Sequence, residues 1–441
     1  MTTLHKPSSP GPASPERRRA LGRLGAAAGA AALAGGASVH AHAATSSSLQ
    51  DAQVTDAPHS TKTGDRVPHL GRHQAGVVTP RPTCGMLASF DVLARDRQEL
   101  EHMFRILTER IAFLTQGGPA PRLDPKLPPA GSGILGPIVH PDGLTVTVSV
   151  GASLFDARYG LADHKPRHLQ PMASHPNDAL DAERCHGDLS IQFCSNTPDT
   201  NIHALRDLIK NLPGALWLRW KQEGTVPPIA TVPGQPTESA RNFLGFHDGS
   251  ANPDSSEDAL MDRIVWVQAG DQEPAWAAYG SYQAVRIIRN FVERWDRTPL
   301  QEQQTIFGRV KRNGAPLDGG RTEHDVPDYS RDPEGKTTPL NAHIRLANPR
   351  TPASQANLML RRPFNFSNGV TKSGQLEMGL LFICYQADLE KGFITVQKRL
   401  DGEPLEEYIK PVGGGFFFTL PGMRDAQDWL GRTLLEAGHP T

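Results

Sequence analysis

The residues of this chain best suited to chemistry begin with Asp248, which lies in the segment 242–253. Gly245 and Gly249 flank it in a Gly-x-x-Asp-Gly pattern. Glycine permits backbone conformations and close approaches that a side chain forbids, so a flat ligand could lie against this segment with the carboxylate over it. Asp and Gly are also ordinary turn residues, and taken alone the pattern favours a turn at the surface.

Two basic groups follow this motif along the chain. His343 opens the segment His-Ile-Arg-Leu-Ala-Asn-Pro-Arg, which ends at Arg350, and Arg361 is the first of an arginine pair. A neutral imidazole is a common metal ligand, and a guanidinium stays charged at physiological pH. Asp248, His343 and Arg361 together could therefore hold a metal and stabilise charge beside it. On its own, His343 would be interpreted as an ordinary core or surface histidine.

These motifs, together with the apolar segment Gly-Leu-Leu-Phe-Ile-Cys-Tyr-Gln that starts at Gly379, resemble the dye-decolorizing peroxidase family. The resemblance is strongest to its exported branch, the deferrochelatase/peroxidase of bacterial ferrous-iron uptake systems, and extends from about Thr83 to Trp429. It implies a haem b-dependent peroxidase that uses hydrogen peroxide to oxidise organic donors. It also implies one non-covalently bound haem per chain.

The resemblance assigns roles to individual residues. It implies that His343 binds the iron from one face of the haem, while Asp248 and Arg361 act on peroxide at the other face. Contacts with the haem edge and its propionates are expected from Gly249, Ser250, Ala251, Asn348, Pro349 and Arg350. The pocket near the iron is expected to be lined by Leu380, Leu381 and Phe382.

These residue types suit the cleavage of hydrogen peroxide. Asp248 could take a proton from the inner oxygen and return it to the outer one, and Arg361 could stabilise negative charge on the leaving oxygen. An Asp in this role predicts an acidic activity optimum, since a free Asp titrates near ~3.9. Pro363 stands where some relatives carry an Asn that contacts peroxide, which leaves this work to Asp248 and Arg361. The acidic residue that orients His343 has two candidates, Asp388 and Glu390.

Hydrophobic periodicity predicts two halves with a similar order of elements, 81–235 and 236–438. Both are interpreted as the β-α-β-β-α-β unit of ferredoxin-like folds. The expected fold is therefore α+β of the dimeric α+β barrel type, with two four-stranded antiparallel sheets, peripheral helices and the haem in the C-terminal half. Strands are predicted over 84–94, 144–150, 189–193, 216–220, 264–268, 282–288, 378–385 and 416–420. Helices are predicted after the caps Asp96 and Asp199, and over 299–310 and 389–400.

The first 43 residues predict an export signal. Arg17-Arg18-Arg19 precedes a weakly apolar stretch rich in Ala and Gly, which ends in the cleavage pattern Ala41-His42-Ala43. The arginines indicate the twin-arginine route and hence the periplasm. The stretch is too short to span a bilayer, and no other segment could do so. Residues 44–80 are expected to be a disordered linker, with the folded part beginning near Thr83.

Composition argues against several classes of protein. With 46 Lys+Arg against 47 Asp+Glu, the formal net charge is -1, and no basic excess favours a nucleic acid or a membrane surface. The four cysteines form no C-x-x-C pair and no C-x-x-C-H, which argues against a zinc knuckle and against covalent haem attachment. Cys185 and Cys194 could form a disulfide in an oxidising compartment, although buried thiols are the favoured interpretation.

Three other functions stay open on the sequence. The chain could remove iron from haem and leave the tetrapyrrole intact, and the motifs for that role overlap with those for peroxide. It could be a non-catalytic periplasmic haem or iron carrier, which would not need both Asp248 and Arg361. The third alternative is a chlorite-decomposing relative with the same sheet architecture, and the presence of Asp248 in the Gly-x-x-Asp-Gly motif argues against it. The expected partners are hydrogen peroxide with an organic donor, or haem itself, components of a ferrous-iron uptake system, and a second copy in a homodimer.

Overall fold

The structure is a computed structural model that describes residues 64–120, 123–227 and 238–438. The predicted export signal, with Arg17-Arg18-Arg19, and residues 44–63 of the predicted linker lie outside these residues. Within them, no helix combines the length and the apolar character needed to cross a bilayer.

Regular elements are distributed along both predicted halves. The strands are β1 (Cys84–Val92), β2 (Gly118–Pro119), β3 (Ile138–Val139), β4 (Thr145–Gly151), β5 (Leu189–Ser195), β6 (Leu216–Thr225), β7 (Ser281–Asn290), β8 (Leu360–Arg361), β9 (Phe364–Val370), β10 (Leu376–Gln386) and β11 (Ile409–Thr419). The α-helices are α1 (Arg97–Gln116), α2 (Pro198–Asn211), α3 (Asp258–Ile264), α4 (Val292–Trp295), α5 (Leu300–Phe307), α6 (His343–Ala347), α7 (Thr395–Leu400) and α8 (Arg432–Ala437). A π-helical turn, Glu390–Ile394, leads directly into α7.

The strands of each half follow the ferredoxin-like order. The first half is arranged as β4-β5-β1-β6 and the second as β11-β7-β10-β9. The outer strands of the two halves also pair, β11 with β4 and β6 with β9, so that eight antiparallel strands form a closed ring, with β8 added beside β10. The predicted α+β, ferredoxin-like architecture is confirmed. The two sheets share their edges because closure satisfies backbone groups that an open edge would leave unpaired.

Alternation along the strands separates the barrel interior from its outer face. Leu381 and Tyr385 of β10 belong to an apolar cluster to which every strand of the ring except β4 contributes, including β1 through Leu87. Leu380 and Phe382 project to the other face and line a cavity there. The expectation that Leu381 lines the pocket is therefore wrong, because successive side chains of a strand point to opposite faces.

The two predicted helix caps have different outcomes. Asp96 caps α1, and its Oδ1 accepts a hydrogen bond from the Glu99 amide at 2.9 Å, as the capping-box spacing predicted. The cap predicted at Asp199 is wrong, since Asp199 is the second residue of α2 and its N-cap is Thr197, two residues earlier. The carboxylate of Asp142, more than fifty residues away along the chain, accepts from the Thr197 amide at 3.0 Å. The start of α2 is thus held by a distant carboxylate that bonds to its N-cap residue.

The strand predicted over 264–268 is also absent. Asp258–Ile264 forms α3, and the next three residues continue in turns with Val267 bonded to Gly280 and Tyr279. Trp266 and its neighbours are buried. A short apolar run does not distinguish a strand from a buried helix end, which is the physical reason for the error.

The last part of the predicted linker packs against the folded body. Leu70 bridges to Met423, and the Gln74 side chain donates to the carbonyls of Val148 and Leu420 at 2.8 Å each. Val77 is fully buried. Residues 64–80 are therefore ordered, because their few apolar and amide side chains meet partners from distant strands.

The cysteines remain thiols. All four, Cys84, Cys185, Cys194 and Cys384, are free and buried. Burial raises the pKa of each thiol. The favoured interpretation of buried thiols is confirmed, and Cys185 and Cys194 do not form a disulfide.

Candidate active site

A cavity opens on the outer face of the C-terminal half of the barrel. Its floor is formed by outward-facing residues of β7, β10 and β11, and its other walls by α6, α7 and the loops around them. The empty space, counted out to the mouth, is about 1620 Å³. Most of the lining is apolar, with Leu244, Ile288, Phe307, Ile344, Leu358, Met359, Leu380, Phe382, Phe393, Val396, Leu400, Leu405 and Ile409. Such a lining suits a flat hydrophobic ligand.

Helix α6 brings His343 to this cavity. Helix α5 ends before Gly308, whose φ of +85° places it in the left-handed region that favours glycine. A Cβ at this position would lie 2.8 Å from Cγ1 of Ile344 and 3.2 Å from Cβ of Ala342. Gly308 therefore allows α5 to lie directly against the start of α6, which fixes where His343 enters the cavity.

The imidazole of His343 is held by a buried carboxylate. Its Nδ1 lies 2.7 Å from Oε2 of Glu403, whose side chain is 4% exposed. Burial favours the neutral ring, but the charge and hydrogen bond of Glu403 outweigh it, so the pKa of His343 lies above its usual value. A carboxylate on Nδ1 fixes the ring orientation and increases the basicity of the other nitrogen.

The two predicted acidic partners of His343 are both wrong. Asp388 instead forms an ion pair with Lys391 at 3.0 Å, and Glu390 forms one with Lys398 at 3.2 Å. Both follow β10 directly, and neither lines the cavity. Proximity in the sequence to the apolar strand therefore did not identify the carboxylate that contacts the ring.

Asp248 and Arg361 are adjacent on the cavity wall. The Nη1 atom of Arg361 donates to the main-chain oxygen of Asp248 at 3.2 Å. Asn252 joins the two segments, since its side-chain amide donates to the Arg361 carbonyl at 3.0 Å and its Oδ1 accepts from the Arg361 amide at 2.8 Å. Both residues line the same cavity as His343.

A buried carboxylate outside the motif anchors the loop that carries Asp248. Glu323 accepts hydrogen bonds from the amide and hydroxyl of Ser239 and from the Ser250 hydroxyl at 3.0 Å. The Gly249 amide donates to Oγ of Ser239 at 3.1 Å, and Nδ1 of His247 lies 3.3 Å from Glu323. The residues on both sides of Asp248 are thereby attached to Glu323 or to its partner.

The electrostatics and packing of this loop depend on the same contacts. Burial alone would raise the pKa of Glu323, but the hydrogen bonds from Ser239 and Ser250 and the nearby His247 ring lower it below its usual value. A Cβ at Gly249 would lie 2.6 Å from Cβ of Ser239. The glycine of the motif is therefore required by the close approach of the loop to Ser239.

The structure brings together seven of the ten predicted site residues. Asp248, Ala251, His343, Asn348, Arg350, Arg361 and Phe382 line the cavity. The other three do not: Gly249 lines a neighbouring recess, Ser250 bonds to Glu323, and Pro349 lies between two lining residues.

Unpartnered donors mark where a charged ligand group would fit. Arg350 adopts a positive φ of 58°, and its Nε has no hydrogen-bond partner in the described part of the chain. Burial lowers the pKa of Arg350. In the cavity floor, Arg286 forms an ion pair with Asp178 and likewise leaves its Nε without a partner there. Such donors suit ligand carboxylates.

Three residues of this region were missed by the sequence interpretation. Glu403, Glu323 and Arg286 contact the site or its loop from segments without a recognisable motif. Arg286 lies within the predicted strand 282–288, where a charged residue in an apolar run could have drawn attention. No local signal indicates Glu403 or Glu323.

The residues present fit a haem. An imidazole with one nitrogen engaged by Glu403 leaves the other for iron, the apolar walls suit a porphyrin, and the unpartnered arginine donors suit its propionates. With Asp248 and Arg361 on the same cavity, the fold and site define a haem protein of the peroxidase class.

Comparisons with known proteins agree with this class. The Dyp-type peroxidase N-terminal model matches residues 74–225, and the Dyp-type peroxidase C-terminal model matches residues 239–424. The deferrochelatase of Escherichia coli (strain K12) is 58% identical over 422 residues, covering 96% of this chain and 97% of the relative. That of Shigella flexneri is 57% identical over 423 residues with the same coverage.

Solved structures show the same fold. The DyP-type peroxidase of Cellulomonas bogoriensis superposes with a TM-score of 0.75 at 34% identity, covering 85% of this chain and 99% of that one. Ferric DtpA of Streptomyces lividans gives 0.74 at 33% identity and the same coverage. The chain belongs to the Dyp-type peroxidase family. It is an enzyme with haem peroxidase activity that acts on hydrogen peroxide and a donor substrate.

Proposed function

We propose that each chain holds one haem b without covalent attachment, with His343 as the iron ligand. The pair formed by His343 and Glu403 supports this role, because a ligand imidazole in metalloproteins usually donates its other N–H to a carboxylate or carbonyl. The propionates would accept hydrogen bonds from Arg350 and Arg286, whose Nε atoms are otherwise without partners in the described residues. The absence of C-x-x-C-H from the sequence argues against a thioether link.

Asp248 and Arg361 have different roles in the reaction with peroxide. Bound haem supplies the redox-active iron at which peroxide is reduced. The Asp248 carboxylate takes the proton from one peroxide oxygen and delivers it to the other, as general base and then general acid. Arg361 donates hydrogen bonds to the departing oxygen and stabilises its developing charge. Asn252 lies four residues after Asp248, and its side chain makes two hydrogen bonds to the main chain of Arg361. It therefore holds the two segments that carry Asp248 and Arg361 together.

The observation that carries this proposal is the presence of three groups on one apolar cavity: His343 backed by Glu403, Asp248, and Arg361 bonded to the Asp248 main chain. The test is the absorption spectrum of the purified protein with and without hydrogen peroxide. We expect a Soret band that changes on addition of peroxide and returns with an organic donor. A haem spectrum that peroxide leaves unchanged would contradict the proposed roles.

A second function, release of iron from haem, is favoured by the deferrochelatases that are 57–58% identical over nearly the full chain. In this role haem is the substrate, and His343 and Asp248 would contact the iron from the cavity. Anaerobic incubation with haem distinguishes the two functions. Fluorescent free protoporphyrin would support iron release, and recovery of intact haem would favour the peroxidase role alone.

The proposed cellular setting is the periplasm, reached by the twin-arginine route, in a ferrous-iron uptake system. Arg17-Arg18-Arg19 and the cleavage pattern Ala41-His42-Ala43 support it. Fractionation of cells that express the wild type or a variant with Arg17→Lys, Arg18→Lys and Arg19→Lys tests the route. Retention of the variant in the cytoplasm is expected. We also propose a homodimer, and light scattering after size-exclusion chromatography would show whether the mass is that of one chain or two.

A further inference from the structure

A recess distinct from the haem cavity lies beside Asp248 and Arg361. These two residues line both spaces, while Arg81 and Arg362 line the recess alone. The empty space of the recess, counted out to its mouth, is about 1000 Å³. Arg81 belongs to the segment after the predicted linker, so the recess combines both halves of the chain with the residues proposed to act on peroxide.

The charges of the recess are unbalanced. Its described lining carries three guanidinium groups, on Arg81, Arg361 and Arg362, against the single carboxylate of Asp248. Each guanidinium donates to a main-chain carbonyl, and within the described residues none forms an ion pair with a carboxylate. A positive charge that is removed from water without a counter-charge is costly, so a site of this kind favours an anion.

Arg362 is the most deeply placed of the three, at 4% exposure. Apart from the weakly accepting thiol of Cys194, its Nε and Nη2 have no partner in the described residues. Burial, together with the nearby charges of Arg362 and Arg361, lowers the pKa of Arg81. Arg362 therefore retains donors without a strong acceptor, and neither Arg362 nor Arg81 forms an ion pair with a carboxylate of the described residues.

We propose that this recess binds a small oxoanion, a phosphate or a carboxylate, between Arg81 and Arg362. Guanidinium groups match the oxygens of such anions in pairs of parallel hydrogen bonds. Because Asp248 and Arg361 border the recess, a bound anion repels the Asp248 carboxylate and competes for the donors of Arg361. Anion binding thus slows the reaction with peroxide, a consequence that rests on the proposed function of those two residues.

The test uses the full chain loaded with haem and inorganic phosphate as the probe. The rate constant for the peroxide reaction is measured against phosphate concentration, with ionic strength kept constant by NaCl, and phosphate binding is measured separately by calorimetry. A saturable fall in rate is expected at the same dissociation constant that calorimetry gives. A parallel titration with acetate shows whether the site takes carboxylates as well as phosphate.

Arg81→Gln should weaken phosphate binding by about tenfold or more, because it removes charge-assisted hydrogen bonds. Arg72→Gln is the matched control on the same segment. Arg72 is 53% exposed at its side chain and pairs with Asp262, so this variant should keep the wild-type dissociation constant. Each variant is compared with and without phosphate, so that a change in its basal rate does not affect the result.

Two outcomes would overturn the inference. One is a wild-type protein on which phosphate has no more effect than NaCl, a comparison that needs no variant and is unaffected by misfolding. The other is an Arg81→Gln protein that folds and binds phosphate as tightly as the wild type. If phosphate binds by calorimetry but peroxide does not react even in phosphate-free buffer, the proposed function fails while the anion site stands.

Discussion

Nδ1 of His343 lies 2.7 Å from Oε2 of Glu403, a residue sixty positions further along the chain. The carboxylate is nearly inaccessible, with 4% of its side chain exposed, so solvent does not weaken the contact. A carboxylate in this position favours a proton on Nδ1, which leaves the other ring nitrogen for the iron in the proposed role of His343. The first two predictions concern this pair.

Glu403→Gln should weaken haem retention or the peroxide rate by about 10–100-fold, because the amide is a poorer acceptor and the imidazole becomes less basic. Haem titration of the apoprotein and stopped-flow kinetics measure both. Asp388→Asn and Glu390→Gln are the controls, since these carboxylates pair with Lys391 and Lys398 and do not line the cavity. A larger effect from either control than from Glu403→Gln would contradict the assignment.

His343→Ala should bleach the Soret band or strongly reduce the haem content, because the proposed iron ligand is lost. The readout is the ratio of Soret to protein absorbance after reconstitution with haem. His168→Ala provides the comparison, because His168 contacts Asp388 at 3.7 Å and does not line the cavity. Equal haem content in wild type and His343→Ala would remove His343 as the ligand.

Asp248→Asn should lower the rate of the peroxide reaction by about 10²–10⁴-fold, the range for a lost general acid–base. Haem content should stay close to that of the wild type, since the iron ligand is intact. Stopped-flow mixing with peroxide provides the rate. Asp254→Asn is a matched control, because Asp254 lies on the same loop but is exposed, and its carboxylate accepts hydrogen bonds from the amide and hydroxyl of Ser256. Similar rates in all three proteins would exclude Asp248 from the reaction.

Arg361→Gln should lower the same rate by about 10²–10³-fold, because a positioned charged donor is lost. The guanidinium also donates to the Asp248 main chain, so part of the loss reflects movement of that loop. Arg361→Lys separates the two effects. It keeps the charge without the planar fork, and we expect it to recover part of the rate. No recovery with Lys would show that the geometry of the donors outweighs the charge.

Glu323 makes the free energy of unfolding depend on pH in the acidic range. Its pKa is lowered in the folded state from a usual value of 4.5, so its contribution is fully present above that value and is lost as the pH falls through the lowered one. Glu323→Gln should therefore reduce the slope of unfolding free energy against pH below about 4.5. Urea unfolding at a series of pH values measures it. An unchanged slope would contradict the prediction.

Glu323→Gln should also slow the reaction with peroxide, because the loop of Asp248 loses its anchor. Asp142→Asn is the matched control for this effect. Asp142 is 1% exposed and, like Glu323, accepts from an amide and two hydroxyl groups, but its donors are Thr197 and Thr200 at the start of α2, in the other half. We expect this control to lose stability and to keep its peroxide rate. A similar loss of rate in both variants would indicate a general effect of destabilisation.

Local patterns in the sequence determined most of the secondary structure and singled out the residues proposed to react. Strands β4 and β10 and the helix cap at Asp96 are present as predicted, and the motifs around Asp248 and His343 meet on one cavity. Such patterns are reliable because they follow from the period of one helix or strand and need no distant partner. Where a pattern was short, as at 264–268, it did not distinguish a strand from a helix.

Tertiary structure decided which groups meet. The closing of two sheets into one ring, the attachment of Gln74 to strands more than seventy residues away, and the contacts of Glu403 and Glu323 all join distant segments. A buried carboxylate is stable only where several donors converge on it, and that convergence is a property of the packed fold. The sequence alone therefore identified His343, Asp248 and Arg361 as candidates. The tertiary structure determined that Glu403 orients the imidazole and that Glu323 anchors the loop.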